Sequence, residues 1–396
     1  MKNRKPVFIW MTLLLIGLLS IGALEVLIRI KAEKDLDGNV WFKGRMIHVE
    51  SLPVAEMSKQ LNDLNSALHS YIIYDQWLGW TNSRDFESED KSYIHNDQHL
   101  RVGDVNQHFN DDRSDKIRVA FIGDSYIYGA EVSYKESLVG LVDIGLDTID
   151  YEVMNFGVGG YGMDQAYLRL KHEVLDFHPD WVIFGFQPEN CHRNFNLIRA
   201  LYSKHEASPF SKPMFTQSGK EFELLNYPTM LPPQMIESLG EDELWQKDEF
   251  MKDYSNKSHV LYSIGFLSSF WNENRWNIYR NEQAFMESER NFNKTKYIVK
   301  LMGQLCEENE IDFAMVHLPR KEDLLHLKNG EELNYNSLLH DMKDNYLVID
   351  PTQDLLTNSI DALFAPGFHY SAQGNEIVSK KVINFIKESG ISEDNH

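Results

Sequence analysis

The sequence predicts an α/β protein, a flavodoxin-like three-layer sandwich on a five-stranded parallel sheet, with a transmembrane helix ahead of it and an irregular insertion within it. Three observations point there. Five short, mostly apolar runs, at 117–122, 151–154, 181–186, 313–317 and 346–349, have the length and content of strands buried on both faces. Amphipathic helical stretches lie between them, which is the pattern of strand–helix–strand crossovers. Polar and glycine-rich residues gather where the runs end, and in parallel sheets sites form at the carboxyl ends of strands.

Each element has its own warrant. In the helix predicted over 163–177, Met163, Tyr167, Leu170, Val174 and Phe177 fall along one stripe. The last helix, over 371–387, turns Ile377, Val378, Val382, Phe385 and Ile386 inward, and Ser371 is a natural N-cap. A short helix is expected over 56–71 from Leu61, Leu64 and Leu68. Residues 72–113 read as short strands and turns, with aromatic and β-branched clusters broken by Asn, Asp and Gly. Residues 200–290 interrupt the alternation with five prolines and aromatic-rich helical pieces, and read as an insertion over the sheet edge or the mouth of the site. The expected division is an anchor over 1–30, a connector and β-rich lead-in over 31–113, and the main domain over 114–392.

At the N-terminus Lys2, Arg4 and Lys5 precede an apolar run over 6–24. That is close to the roughly 20 residues needed to cross a bilayer. A cleaved signal peptide is the competing reading; the stretch before Ala23 is a poor cleavage site, so a retained single-pass anchor is expected. The early basic residues are expected to place the N-terminus in the cytoplasm and the main domain outside it, although Arg29, Lys31 and Lys34 blunt the asymmetry. The run at 260–271 is too short to span; packing on the main domain is expected rather than contact with the bilayer surface.

Over 396 residues the formal charge is −21, which repels phosphate backbones and argues against nucleic-acid binding. Cys191 and Cys306 have no metal-ligand spacing and are expected to be unpaired. His172 and His178 are not spaced for adjacent helical turns, so no metal site is expected.

The strand exits carry the chemistry. Ser125 follows the first strand and Gly123, in the position of a nucleophile or of a plain helix cap. The second strand runs into Asn155 and then Gly157, Gly159, Gly160 and Gly162, where backbone N–H groups can approach a ligand or simply make a tight turn. The third exit brings Asn190, an amide donor or a cap. The loop before the last helix brings His369, a base or a surface histidine. A nucleophile, N–H donors, an amide and a base from four exits are the parts needed for acyl transfer.

This set resembles the SGNH, or GDSL, hydrolase superfamily. Gly123, Asp124 and Ser125 resemble its first block, Asn155 with Gly160 its second, Asn190 its third, and His369 with Ser371 and Gly374 its fifth. The resemblance covers 117–200 and 290–388; Leu78, Gly79 and Trp80 with 96–101 resemble a lead-in of membrane-anchored members. It implies Ser125 as nucleophile, His369 as base, an oxyanion hole from Ser125, Gly160 and Asn190, supporting roles for Asp124 and Asn155, and no metal or organic cofactor. It also implies an acyl ester substrate, with acetyl groups on envelope or extracellular carbohydrate as the leading case. The alternatives are O-acyl transfer to a polysaccharide and a degenerate, non-catalytic binding protein.

Two positions depart from the family pattern. Pro366 stands where the family has an Asp three residues before the histidine, and Cys191 follows Asn190 in place of Asp. A backbone carbonyl or Asp361 is the expected substitute for the missing carboxylate, with a Ser–His dyad otherwise; Asp350 is expected to be structural. Trp245, Trp271, Trp276 and Tyr279 are expected to be core, with a sugar-binding surface as the alternative.

Overall fold

The computed structural model describes residues 5–389 except 68–69, 111, 113–114, 206–207, 220, 256–260 and 274–282. Its centre is a parallel sheet of β1 (Ile117–Gly123), β2 (Tyr151–Gly157), β3 (Trp181–Phe186), β4 (Asp312–His317) and β5 (Leu347–Ile349), in the spatial order β5-β4-β3-β1-β2. Every pairing is parallel. This is the doubly wound arrangement, and the order reverses at β1. The residue after β1, Asp124, and the one after it, Ser125, therefore stand at the switch point.

Side chains alternate across the sheet, as a period of two requires. Ala120 and Ile122 of β1, with Met154, Phe156, Val182 and Phe184, face one layer. That layer is α3 (Met163–His172), α5 (Glu289–Glu308) and α6 (Asn336–Asn345). Val119 and Phe121, with Val153, Ile183 and Val316, face the other, which includes α2 (Leu138–Gly145) and α7 (Ala372–Glu388). Ser371 caps α7 by accepting the N–H of Gly374 at 3.3 Å. The helix expected over 163–177 stops at Glu173, whose φ of −127° leaves the helical region, and a 3₁₀ turn, Val174–Phe177, completes the stripe.

The lead-in forms two antiparallel hairpins, Ile72–Asp75 with Gly79–Asn82 and Phe86–Glu87 with Ile94–His95. They close over the open edge of β2. Trp80 Nε1 donates to Gly159 O at 3.0 Å, Asn82 Nδ2 to Gly157 O at 3.1 Å, and Arg101 N–H to Asn155 O at 3.2 Å. An edge strand covered in this way offers no template for pairing with another chain.

The insertion holds a hairpin that its composition did not predict, Met214–Ser218 with Glu221–Leu225, turning at Gly219 with φ +66°. Phe215 and Phe222 pack on Tyr297 of α5, so this part covers the outer helices rather than the mouth of the sheet. Trp245 is fully buried and belongs to a core of its own with Met235 and Phe250, not to a surface. The side chain of Trp271, and Trp276 and Tyr279, lie outside the described residues.

The N-terminal helix α1 (Lys5–Lys31) contains a 24-residue stretch, Phe8–Lys31, long and apolar enough to cross a membrane, and it is almost entirely outside the protein core. Its last turns are docked. Ile28 is fully buried against Val40, Phe42 and Ile47. Both cysteines are buried, and neither is in a disulfide.

Candidate active site

Ser125 opens a four-residue helix, Ser125–Tyr128, whose cap is Asp124: the Asp124 carboxylate accepts the Tyr126 N–H at 2.9 Å. Gly123 needs its missing side chain, because its φ is +154° and a Cβ there would meet the Ile127 side chain at 2.7 Å. Ser125 thus sits on a short turn pressed between β1 and Ile127. Its hydroxyl lies 2.8 Å from His369 Nε2, 244 residues away in the chain.

The other ring nitrogen, Nδ1, lies 2.8 Å from Glu131 Oε2. Glu131 also accepts the N–H of Gly367 at 2.5 Å and that of His369 at 3.1 Å. An ionised carboxylate only accepts, so Nδ1 carries the imidazole proton and Nε2 is left to accept from Ser125. Burial pushes the Glu131 carboxyl up, but the bonds from His369 and Gly367 outweigh it and hold the group below its ordinary value. Serine, histidine and carboxylate form one continuous relay.

This corrects the expectation for the third member. Asp361 is exposed and pairs with Lys321 at 2.7 Å. Asp350 bonds His317, Lys343 and Thr352 at the end of β5. The carboxylate beside His369 comes instead from the loop that follows Ser125, six residues on. Glu131 has φ +67°, a conformation that places its side chain back over the site at a cost in backbone strain. Phe368, at φ +77°, is similarly held: Tyr126 Oη donates to its carbonyl at 2.9 Å, and its ring stays exposed beside His369.

The loop carrying Glu131 is clamped by the lead-in. Buried Arg101 donates to the carbonyls of Tyr128, Gly129, Ser92 and Val132 at 2.5–3.0 Å. Its guanidinium lies 4.5 Å from the Tyr128 ring centre and 4.8 Å from that of Tyr93. Tyr93 Oη accepts the Glu131 N–H at 2.8 Å. We expect Arg101→Met to leave these carbonyls unpaired, at about 1–3 kcal/mol for each that stays buried. The expected outcome is a lowered urea midpoint together with a lowered kcat on a simple aryl ester, measured on the same preparation.

The remaining sequence-predicted residues lie on the neighbouring strand exits. Val158 N–H bonds Gly123 O at 3.2 Å, which brings the start of the glycine loop alongside the end of β1. Gly160 has φ +79°, and a Cβ on it would meet the Arg199 guanidinium at 3.2 Å. Asn190 is buried at the start of the helix Asn190–Arg193. Among the described residues, the N–H groups of Ser125 and Gly160 and the side chain of Asn190 have no hydrogen-bond partner. Asn155 is structural: its amide donates to Ile127 O at 2.9 Å and its carbonyl accepts the Gly157 N–H at 2.9 Å, tying β2 to the turn that carries Ser125.

Arg193 joins three of these exits. It donates to Asp124 Oδ2 at 3.2 Å, to Tyr161 O at 3.0 Å and to Glu189 at 3.0 Å. Burial pushes the Asp124 carboxyl up, opposed by Arg193, the Tyr126 N–H and His369. Burial likewise opposes ionisation of Glu189, but Arg193 and Tyr202 hold its carboxyl well below the usual range. Sequence reasoning named Asp124 but neither Arg193 nor Glu189; a Glu–x–x–x–Arg pair one helical turn apart was the available signal.

No family model matches this chain, and no curated protein does. Solved structures that match include lipolytic proteins of the G-D-S-L family and acetylxylan esterases. An acetylxylan esterase from Geobacillus stearothermophilus is 14% identical, with a TM-score of 0.36 over 70% of this chain and 95% of its own. A lipase/acylhydrolase from Enterococcus faecalis is 15% identical, with a TM-score of 0.35 over 69% of this chain and 96% of its own. A member of the lipolytic G-D-S-L family from Veillonella parvula is 10% identical, with a TM-score of 0.35 over 68% and 98%.

Proposed function

We propose that this protein is a serine ester hydrolase of the SGNH type, held at a membrane by α1, that removes O-acyl groups. The observation that carries the reading is the Ser125–His369–Glu131 relay, with both heteroatom distances at 2.8 Å. Ser125 Oγ bonds the ester carbonyl carbon as its proton passes to His369 Nε2. The carbonyl π electrons move to oxygen, which receives hydrogen bonds from the N–H groups of Ser125 and Gly160 and the amide of Asn190. One such donor is typically worth about 3 kcal/mol in the transition state. The proton on Nε2 then goes to the leaving alkoxide as the C–O bond breaks, and water enters by the same relay to release the acid. Glu131 stabilises the imidazolium while it lasts.

Acetyl is the acyl group we favour, carried by an envelope or extracellular carbohydrate, with the catalytic domain outside the cytoplasm. The relay supports turnover over mere binding, because a binding module has no use for a base aligned on a serine hydroxyl. Transfer to a glycan hydroxyl uses the same acyl-enzyme and differs only in the acceptor. The test is acetate release from a panel of acetylated glycans and aryl acetates by the full chain in detergent. Release without an added acceptor is expected; release only when a glycan acceptor is present would move the assignment to transfer.

A further inference from the structure

The helix α4, Tyr262–Glu273 in the insertion, returns to the point where α1 leaves its apolar stretch. The contact is specific. Glu25 of α1 accepts the N–H groups of Tyr262 at 3.2 Å and Ser263 at 2.7 Å, and Arg29 stacks on the Tyr262 ring at 4.4 Å. Phe266 packs edge-on against Phe42 of the strand Val40–Phe42 that follows α1. One face of α4 is therefore fixed to the base of the anchor.

The opposite face is apolar and bare. Leu261, Ile264 and Leu267, spaced three apart, are 37–50% exposed. Beside them the last turns of α1 expose Val26, Leu27 and Ile30, the last at 75%. Both helices thus carry bare apolar side chains close to where they meet. Apolar faces next to a membrane span bury into the headgroup and acyl boundary.

We infer that α4 is a second membrane contact, lying in the bilayer interface with Leu261, Ile264 and Leu267 toward lipid. The catalytic body is then seated on the membrane at a fixed tilt. This rests on reading α1 as a membrane span, and the experiment separates the two. The native cysteines are both buried, so Leu14→Cys, Ile264→Cys and Ile149→Cys each give one accessible thiol in the full chain. Each variant is labelled with an environment-sensitive dye and reconstituted in phosphatidylcholine vesicles carrying a spin-labelled lipid quencher.

Position 14 is expected to be quenched by deep labels, and position 264 by shallow labels at least about twofold more than position 149. Quenching at 14 with 264 no different from 149 overturns this inference and leaves the anchor intact. No quenching at 14 overturns the anchor and the inference with it.

Discussion

Ser125→Ala will abolish labelling by a fluorophosphonate probe and remove ester turnover, while the thermal midpoint stays within a few degrees of the parent. The hydroxyl contributes one hydrogen bond to His369 and little packing, so the fold has little to lose. Its loss removes the covalent intermediate altogether. In a serine hydrolase, losing the nucleophile leaves only what binding and the oxyanion donors supply, and turnover falls by about 10⁶. Retained labelling, checked by mass spectrometry of the peptide containing position 125, would sink the assignment of the nucleophile.

Glu131→Gln is expected to cost about 10²–10⁴ in kcat with little change in KM, by analogy with amide replacement of a triad carboxylate. The amide can hold the ring through its carbonyl, but it carries no charge to match an imidazolium. The same substitution has a stability signature. The folded-state carboxyl titrates below its ordinary value of 4.5, so its stabilisation is fully present above that value and is lost as pH falls through the lower, folded one. The parent's advantage over the Gln variant in urea unfolding should be constant above about pH 5 and shrink on further acidification. An advantage that grew on acidification would mean the carboxyl is not ionised against His369.

The sheet was legible in the sequence because its strands are buried on both faces, and continuous apolar runs are what that burial selects. Ser125 and His369 could be found for the same reason: they sit one to a few residues from regular elements whose ends the pattern marks. Glu131 was not legible. It lies in a loop, its backbone is left-handed, and its partner is 238 residues away. Nothing about its neighbours Ala130 and Val132 distinguishes it from a solvated loop acid. The family pattern points to the stretch before His369, whereas the partner of a ring nitrogen is set in space. The hairpin at 214–225 was missed because Gln217, Ser218 and Glu221 blunt its alternation, and its pairing is decided by packing on Tyr297.

Arg101 ties the residues before the sheet to the loop that carries Glu131. Its four carbonyl acceptors belong to two segments, one ahead of β1 and one between Ser125 and α2. Trimming the chain to begin at Ile117 would spare every strand of the parallel sheet and both ends of the Ser125–His369 pair, yet remove the two lead-in hairpins and strip the fastening from the turn that bears the acid. Such a fragment would keep Ser125 and His369 with Glu131 held slack. A new entry module grafted ahead of the sheet must bring along a guanidinium at that position, or the turn must be redesigned so that it stands unaided.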